Sequence, residues 1–318
     1  MTTEFELIGR FFSPRTRHTL LAGGDDAALV APTPGMALAV STDMLVAGRH
    51  FRADAAASGV GHKSMAVNLS DMAAMGARPR WATLSLALPS ADERWVGAFM
   101  DGLLALADAN DVVLIGGDTT RGPLAICIQI MGEVESGLAL LRSAAQTGDD
   151  VWVSGTLGDA ALAVAADNGE IELEPAHRAL AQLRLHRPQP RVALGAALVG
   201  LAHACIDISD GLVADVGHIA ERSAVAIELA WERVPLSPDA QRRRDSPAVR
   251  RAALSGGDDY ELAFTAPVAH RIQIEAVAAR VGVAVTRVGE VAAGAGVTVL
   301  DRQHRRVDLS ERGFDHFG

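Results

Sequence analysis

Apolar and polar positions along this 318-residue chain alternate between two rhythms, and the switches between them predict an α/β fold. Residues 36–42 read as a strand ending in polar side chains. Residues 81–88, with Thr83 and Ser85 set among Leu84, Leu86 and Leu88, read as a half-buried strand. Residues 59–75 read as a helix stopped by Gly76, with Pro79 soon after. A second helix is expected over 92–109, opened by the capping-box pair Ser90 and Glu93 and carrying Trp95, Phe99 and Leu106 on one face. Residues 112–115 are then a short buried strand running into Gly116-Gly117-Asp118, and 124–134 form another strand.

Residues 135–150 are less regular, and the domain boundary falls among them. An N-terminal domain over 1–138 and a C-terminal α/β domain over 139–318 follow, an α+β sandwich arrangement. The second half opens on the strand Val151-Trp152-Val153, a turn from Gly155 to Gly158 and a helix from Asp159. Later strands are expected near 204–208, 260–264, 283–288 and 297–300. Residues 235–249, rich in Pro, Ser and Arg, read as a surface loop. The triplet Gly-Gly-Asp at 116–118 recurs at 256–258, a faint sign of related halves.

Composition narrows the class. Hydrophobic residues reach 49%, too much apolar material for a disordered chain. A net charge of −10 argues against wholesale nucleic-acid binding. Lys63 is the one lysine beside many arginines, and Cys127 and Cys205 form neither a CxxC pair nor a disulfide framework. The longest nearly apolar run, 192–206, is broken by His203 and falls short of the ~18 residues a membrane span needs. Residues 1–10 carry acidic side chains and no signal-like block, so a cytoplasmic protein with no membrane partner is expected.

The aspartates carry the chemical signal. Asp26 closes Gly24-Asp25-Asp26, Asp43 closes Ser41-Thr42-Asp43, Asp118 follows Gly116-Gly117, and Asp207 and Asp210 sit in Ile206-Asp207-Ile208-Ser209-Asp210-Gly211. Each is expected where a strand runs out, and Asp71 near the end of the 59–75 helix. Ligand sites of α/β proteins collect at strand ends. Converging carboxylates repel, and Mg²⁺ with phosphate oxygens is their natural complement. Asp before Gly also favours turns, and Asp at a helix start also caps it, so each motif alone fits a structural role as well. Leu212, Val216 and Ile219 mark an apolar helical face after Asp210. Ser209 or Asp210 can cap that helix, and its N-terminus offers N–H groups to a phosphate. P-loop, Rossmann, protein-kinase, Ser-nucleophile and zinc motifs are absent. His50, just past the Asp43 segment, is the one histidine to follow.

These segments resemble the thiamine-monophosphate kinase family, of the superfamily that holds aminoimidazole ribonucleotide synthetase. The resemblance runs through Glu4-Phe5-Glu6-Leu7-Ile8, Gly24-Asp25-Asp26-Ala27-Ala28, Ser41-Thr42-Asp43-Met44-Leu45-Val46, Ala66-Val67-Asn68-Leu69-Ser70-Asp71, Gly116-Gly117-Asp118-Thr119-Thr120-Arg121, Ile206-Asp207-Ile208-Ser209-Asp210-Gly211-Leu212 and Gly313-Phe314-Asp315-His316-Phe317. It implies transfer of a phosphoryl group from ATP to thiamine monophosphate, and a homodimer whose N-terminal domains share a β-barrel. It also implies several Mg²⁺ ions on Asp26, Ser41, Thr42, Asp43, Asp71, Asp118, Asp207 and Asp210. Gly117, Asp118, Arg142 and Ser209 would contact ATP; His50, Asp258 and Phe314 would contact thiamine phosphate; Asp210 would be indispensable to turnover.

Three departures stand out: Ala22-Gly23-Gly24 replaces Gly-Ile-Gly, Asp258 replaces a Glu, and Ala follows Arg142-Ser143 where the family tends to Gly. Within the superfamily, selenophosphate synthetase needs a reactive Cys near the N-terminus and the hydrogenase-maturation relative one at the C-terminus; neither is found here. A nucleotide-binding scaffold would have lost its Asp ligands, and a Mg²⁺-dependent phosphatase would put water in place of the second substrate.

Overall fold

The computed structural model describes residues 17–21, 25–308 and 313. The chain divides into two compact units, Met1–Met72 with Ala77–Gly137, and Ala73–Gly76 with Leu138–Gly318. Among the described residues no helix is long and apolar enough to cross a membrane.

The first unit is a four-stranded mixed sheet in the order β1-β4-β2-β3, made of β1 (Met36–Val46), β2 (Arg78–Leu88), β3 (Val113–Arg121) and β4 (Ala125–Glu135). Helix α1 (Ala57–Ala74) is buried almost all round, with Met65, Leu69 and Met72 at or near zero exposure. Even His62, Lys63, Ser64 and Asn68 lie inside. Its own backbone takes part of that polarity, since Ser64 Oγ donates to the Val60 carbonyl and Asn68 Nδ2 to the Ser64 carbonyl. Helix α2 (Glu93–Ala109) is amphipathic instead, burying Val96, Phe99, Met100, Leu103 and Leu106. Its cap is Asp92, whose Oδ1 accepts from the N–H groups of Arg94 and Trp95. The expected Ser90–Glu93 box is therefore displaced by an aspartate two residues further on, better placed for the second and third helical amides.

Strands β1 and β3 run further than their apolar stretches suggest. β1 continues through Asp43 to Val46 because β4 pairs with it along the whole length, Asp43 opposite Ile128 and Val46 opposite Ala125. β3 continues through Gly116-Gly117-Asp118 to Arg121, alongside β2. Asp43 and Asp118 thus lie inside strands, not at their ends.

The second unit is a six-stranded sheet in the order β10-β7-β9-β5-β8-β6. Its strands are β5 (Asp150–Ser154), β6 (Ala204–Ile208), β7 (Ala226–Ala230), β8 (Glu261–Ala266), β9 (Val285–Ala292) and β10 (Gly296–Leu300). Helices α3 (Asp159–Asp167), α4 (Pro175–His186), α5 (Val192–Leu198), α6 (Leu212–Ser223), α7 (Pro238–Arg242), α8 (Pro247–Ser255) and α9 (Arg271–Arg280) accompany it. The region read as a loop over 235–249 thus contains α7 and the start of α8, each opened by a proline that suits the first helical turn.

Alternate residues of the central strands feed two separate cores. Val151, Val153, Ile206, Ile208 and Ala263 belong to one cluster; Trp152, Cys205, Leu262 and Phe264 belong to the other. Burial on both faces is why these strands read as continuous apolar runs. The carboxylate at the start of β5 is held at the rim: Asp150 accepts from Arg271 Nε at 2.5 Å and Nη2 at 2.7 Å, and from Arg287 Nη1 at 3.3 Å. Burial pushes its pKa up, but the Arg271 and Arg287 hydrogen bonds outweigh this and hold the group below its ordinary value.

A carboxylate depressed in the native state contributes stability above its unfolded pKa of about 3.9, and that contribution is lost as pH falls through the native value. Asp150→Asn is expected to lower the urea midpoint at pH 7 and to lose less than the wild type between pH 5 and 3, about the ordinary carboxylate range. Parallel loss in the two proteins would show that the Arg271 pair contributes nothing.

Candidate active site

In the first unit the residue period of β1 sorts the candidate ligands onto two faces. Ser41 and Asp43 share a face with buried Leu45, and Ser41 Oγ donates a short hydrogen bond to Asp71 Oδ2 from α1. Thr42 points the other way, with exposed Val40 and Met44. Asp118 lies opposite Ser85, whose neighbours Leu84 and Leu86 are buried, so Asp118 is also on the open face. The sheet therefore brings Ser41 to Asp71 but sets Thr42 and Asp118 on the reverse side. Gly117 passes so close to β2 that a Cβ there would lie 1.9 Å from the Leu84 carbonyl oxygen. Asp26 is exposed in a bend.

His50 is held by the chain just before it. Its Nδ1 accepts from the Val46 N–H at 3.0 Å, which leaves Nε2 as the protonated nitrogen of a neutral ring. Lys63 Nζ donates to the His50 carbonyl at 3.2 Å and is itself only 2% exposed. The lone lysine is thus a buried anchor for this segment, a role its rarity alone did not reveal.

In the second unit two loops lock together. The Ser209 carbonyl accepts from Asp258 N–H and the Ile208 carbonyl from Tyr260 N–H, both at 2.8 Å. The structure thereby unites Asp207, Ser209 and Asp210 with Asp258. Asp258 and Tyr260 both have positive φ, 71° and 50°, an uncommon conformation that Asp tolerates better than most. Tyr260 Oη donates to Asp258 Oδ1 at 3.0 Å, tethering the shorter carboxylate that replaces a Glu. The glycines explain the approach: a Cβ on Gly257 would sit 2.3 Å from the Ser209 carbonyl oxygen, and one on Gly211, at φ +123°, 2.7 Å from the Ser255 carbonyl carbon. The two Gly-Gly-Asp triplets therefore stand in unlike settings, a strand and a loop.

Arg142 lies beside the start of β6: Leu141 bridges to Ala204, and Ser223 Oγ donates to the Arg142 carbonyl at 2.9 Å. Gly313 rests against Ala214 and the Asp210 carbonyl, where an added Cβ would come within 2.6 Å and 3.2 Å of them. Phe314, the segments at 4–8 and 314–317, and the Ala22-Gly23-Gly24 departure lie outside the described residues.

The expected capping of α6 is different in the structure. Its N-cap is Gly211, with no side-chain bond, and neither Ser209 nor Asp210 caps it. The loop amides turn instead to Asp215, whose Oδ2 accepts from the N–H groups of Ser209, Asp210 and Gly211 at 3.0, 3.1 and 3.0 Å. Burial first, then the Asp207 and Asp210 carboxylates, push Asp215 up to about 7. The sequence did hold a signal for it, a carboxylate set in the Leu212–Val216–Ile219 stripe. Asp259 was likewise missed. It accepts from Gly158 N–H at 2.9 and 3.0 Å, and burial raises its carboxyl well above the ordinary range. Glu261 closes the set, taking Ser154 Oγ at 2.5 Å and Arg191 Nε at 2.6 Å.

Among the described residues no three His, Cys, Asp or Glu side chains are grouped closely enough to hold a metal ion by themselves. Both thiols are unreactive in character: burial and a nearby carboxylate, Asp43 for Cys127 and Asp207 for Cys205, raise them.

Two units built on mixed sheets, with glycine-assisted loops carrying aspartates, define the class. The chain matches the family described as AIR synthase related protein, its N-terminal domain over residues 24–134 and its C-terminal domain over 146–302. The thiamine-monophosphate kinase of Salmonella typhimurium is 42% identical over 319 residues, covering 99% of this chain and 98% of that protein. The crystal structure of thiamine-monophosphate kinase from Stenotrophomonas maltophilia superposes with a TM-score of 0.85 at 47% identity, over 93% and 94% of the two chains. The structure of AaThiL complexed with AMPPCP and TMP superposes with a TM-score of 0.77 at 33% identity, over 99% and 97%. The chain belongs to the thiamine-monophosphate kinase family, a family of enzymes.

Gly257→Ala is expected to part the 208–211 and 257–260 loops and to lower kcat by roughly tenfold or more, since small displacements of positioned groups are costly. Wild-type kinetics in that variant would show that the loops have slack the contact distances deny.

Proposed function

We propose that this protein phosphorylates thiamine monophosphate to thiamine diphosphate with ATP, the last step of making that product. The observation that carries the reading is full-length kinship with a protein solved with AMPPCP and TMP, at 33% identity over 99% of this chain. The locked pair of loops around Ser209, Asp210 and Asp258 supports it from the geometry.

The second ionisation of a phosphate monoester lies near pKa 6, so the acceptor is already mostly a dianion at neutral pH and needs no general base. One of its oxygens forms the new bond to the γ-phosphorus of ATP, in line with the departing oxygen. The bond to the β-phosphate bridge breaks, and ADP leaves with that electron pair. What the protein supplies is position and charge. Gly117, Asp118, Arg142 and Ser209 would hold ATP; His50 with its Nε2 proton, Asp258 tethered by Tyr260, and Phe314 would hold thiamine phosphate.

Donor chemistry fits Mg²⁺: the candidates are carboxylates and hydroxyls, all hard oxygen ligands. The Asp207 and Asp210 carboxylates, which add to the effect of burial in raising Asp215, make their loop a place where a divalent cation is favourable. Asp26, Ser41, Thr42, Asp43, Asp71, Asp118, Asp207 and Asp210 would hold the ions. When bound, these neutralise the charge of the transferring group.

A homodimer belongs to this reading. β1 is an edge strand whose open face exposes Leu38 (41%), Val40 (53%) and Met44 (59%). An apolar, unpaired edge of this kind favours pairing with a second copy, as a shared β-barrel would provide.

Purified protein with ATP, Mg²⁺ and thiamine monophosphate is expected to yield equal amounts of thiamine diphosphate and ADP, none with EDTA and none from free thiamine. Asp210→Asn should abolish turnover while keeping the fold. Inorganic phosphate without thiamine diphosphate would point to hydrolysis, and a near-normal rate for the variant at saturating Mg²⁺ would remove Asp210 from the metal set. Separately, Val40→Arg should convert the dimer to a monomer in sedimentation analysis; an unchanged mass would clear this face of the role.

A further inference from the structure

The most strongly organised group of the second unit lies outside the motifs quoted above. Asp215 is 2% exposed and lies in the first turn of α6. Its single oxygen Oδ2 gathers three consecutive amides, those of Ser209, Asp210 and Gly211. Successive N–H groups converging on one point form the concavity with which proteins bind anions. Here the anion is the chain's own carboxylate.

This is more than helix capping. A cap satisfies the helix's own first amides, and a capping box reaches back only to the amide of the N-cap residue. Asp215 does reach the N-cap Gly211, but also two residues that precede the helix. Those two residues carry the Ser209 and Asp210 side chains. The same peptide segment is gripped from its other side, where the Ser209 carbonyl accepts from Asp258 N–H. With both sides of the backbone bonded, the direction in which the Asp210 carboxylate leaves the loop is fixed.

We propose that Asp215 is a positioning residue for phosphoryl transfer: through three backbone hydrogen bonds it sets the geometry of the Ser209–Asp210 loop without itself touching a substrate. The proposal rests on the kinase reading above, and its test separates the two.

The full-length protein is compared with Asp215→Ala and Asp215→Asn in steady-state kinetics, in Mg²⁺ titrations of rate, in thermal melts and in amide hydrogen exchange over residues 209–211. Asn keeps an oxygen for the amides, so it should hold kcat within about threefold of wild type. Ala releases the loop, and displacement of a positioned ligand should cost about 100-fold in kcat and raise the Mg²⁺ needed for half-maximal rate, with KM for thiamine monophosphate little changed. Exchange at 209–211 should quicken by roughly tenfold or more in Ala and stay slow in Asn, a readout that needs no turnover. Wild-type kcat and Mg²⁺ dependence in Ala would overturn the proposal, and so would a 100-fold loss in Asn. If Ala does not fold, Asp215→Leu, which fills the space but removes the acceptor for the three amides, takes its place and is read by the criteria given for Ala. Absence of thiamine diphosphate from the wild type would defeat the kinase reading, while the exchange result still reports on the loop.

Discussion

A carboxylate taken out of water must find hydrogen bonds or opposite charge, and the second unit is arranged around meeting that requirement several times over within one sheet end. Asp215 is met by three loop amides, Asp259 by the amide at the start of α3, and Glu261 by Ser154 and Arg191. Each of these partners belongs to a segment that must be in place for the loops at 207–211 and 256–260 to meet. These acidic groups thus act as pins for the loops that carry Asp207, Asp210 and Asp258. Burial, and after it the nearby Asp207 and Asp210 carboxylates, raise the proton affinity of Asp215.

Glycines permit this closeness, and two residues with side chains bear strain for it. Gly211 and Gly257 let two loops approach to backbone contact, and Asp258 and Tyr260 accept positive φ so that their amides can reach Ser209 and Ile208. Non-glycine residues in that region are strained, and strain of this kind persists only where surrounding bonds over-determine it. The bonds are visible: two backbone hydrogen bonds and the Tyr260–Asp258 tether.

The α/β class and most strand positions were legible because buried strands announce themselves as apolar runs, as 151–153 and 204–208 did. Strand ends were less so: Asp43 and Asp118 are poor strand formers, and only pairing with β4 and β2 carries β1 and β3 through them. Helices α7 and α8 were hidden by proline and arginine, which mark loops on average but also suit a first turn and an exposed face. Of the candidate site, the motif residues stand out in the sequence; Asp215 shows only as a carboxylate in an apolar stripe, and the roles of Asp259 and Lys63 do not show at all. Their importance lies in which backbone atoms they touch, and spacing along the chain does not encode that.

The two units differ in how they anchor a loop, and the difference follows from what each element offers. In the first, α1 is buried almost all round, so polar groups reach neighbouring segments by side chain: Ser41 to Asp71, Lys63 to the His50 carbonyl. A chain that otherwise uses arginine keeps lysine here, where the donor is a compact ammonium on a flexible stem and not a planar fork needing several acceptors at once. In the second, the loops at the end of the sheet expose their own amides, and a carboxylate is the simplest group that can collect three of them. The first unit therefore fixes its loop from a carbonyl, with a cation, and the second from amides, with an anion. In each case the charge that anchors is opposite to the backbone dipole it meets, and it is the dipole left exposed by local structure that dictates which residue type the position can use.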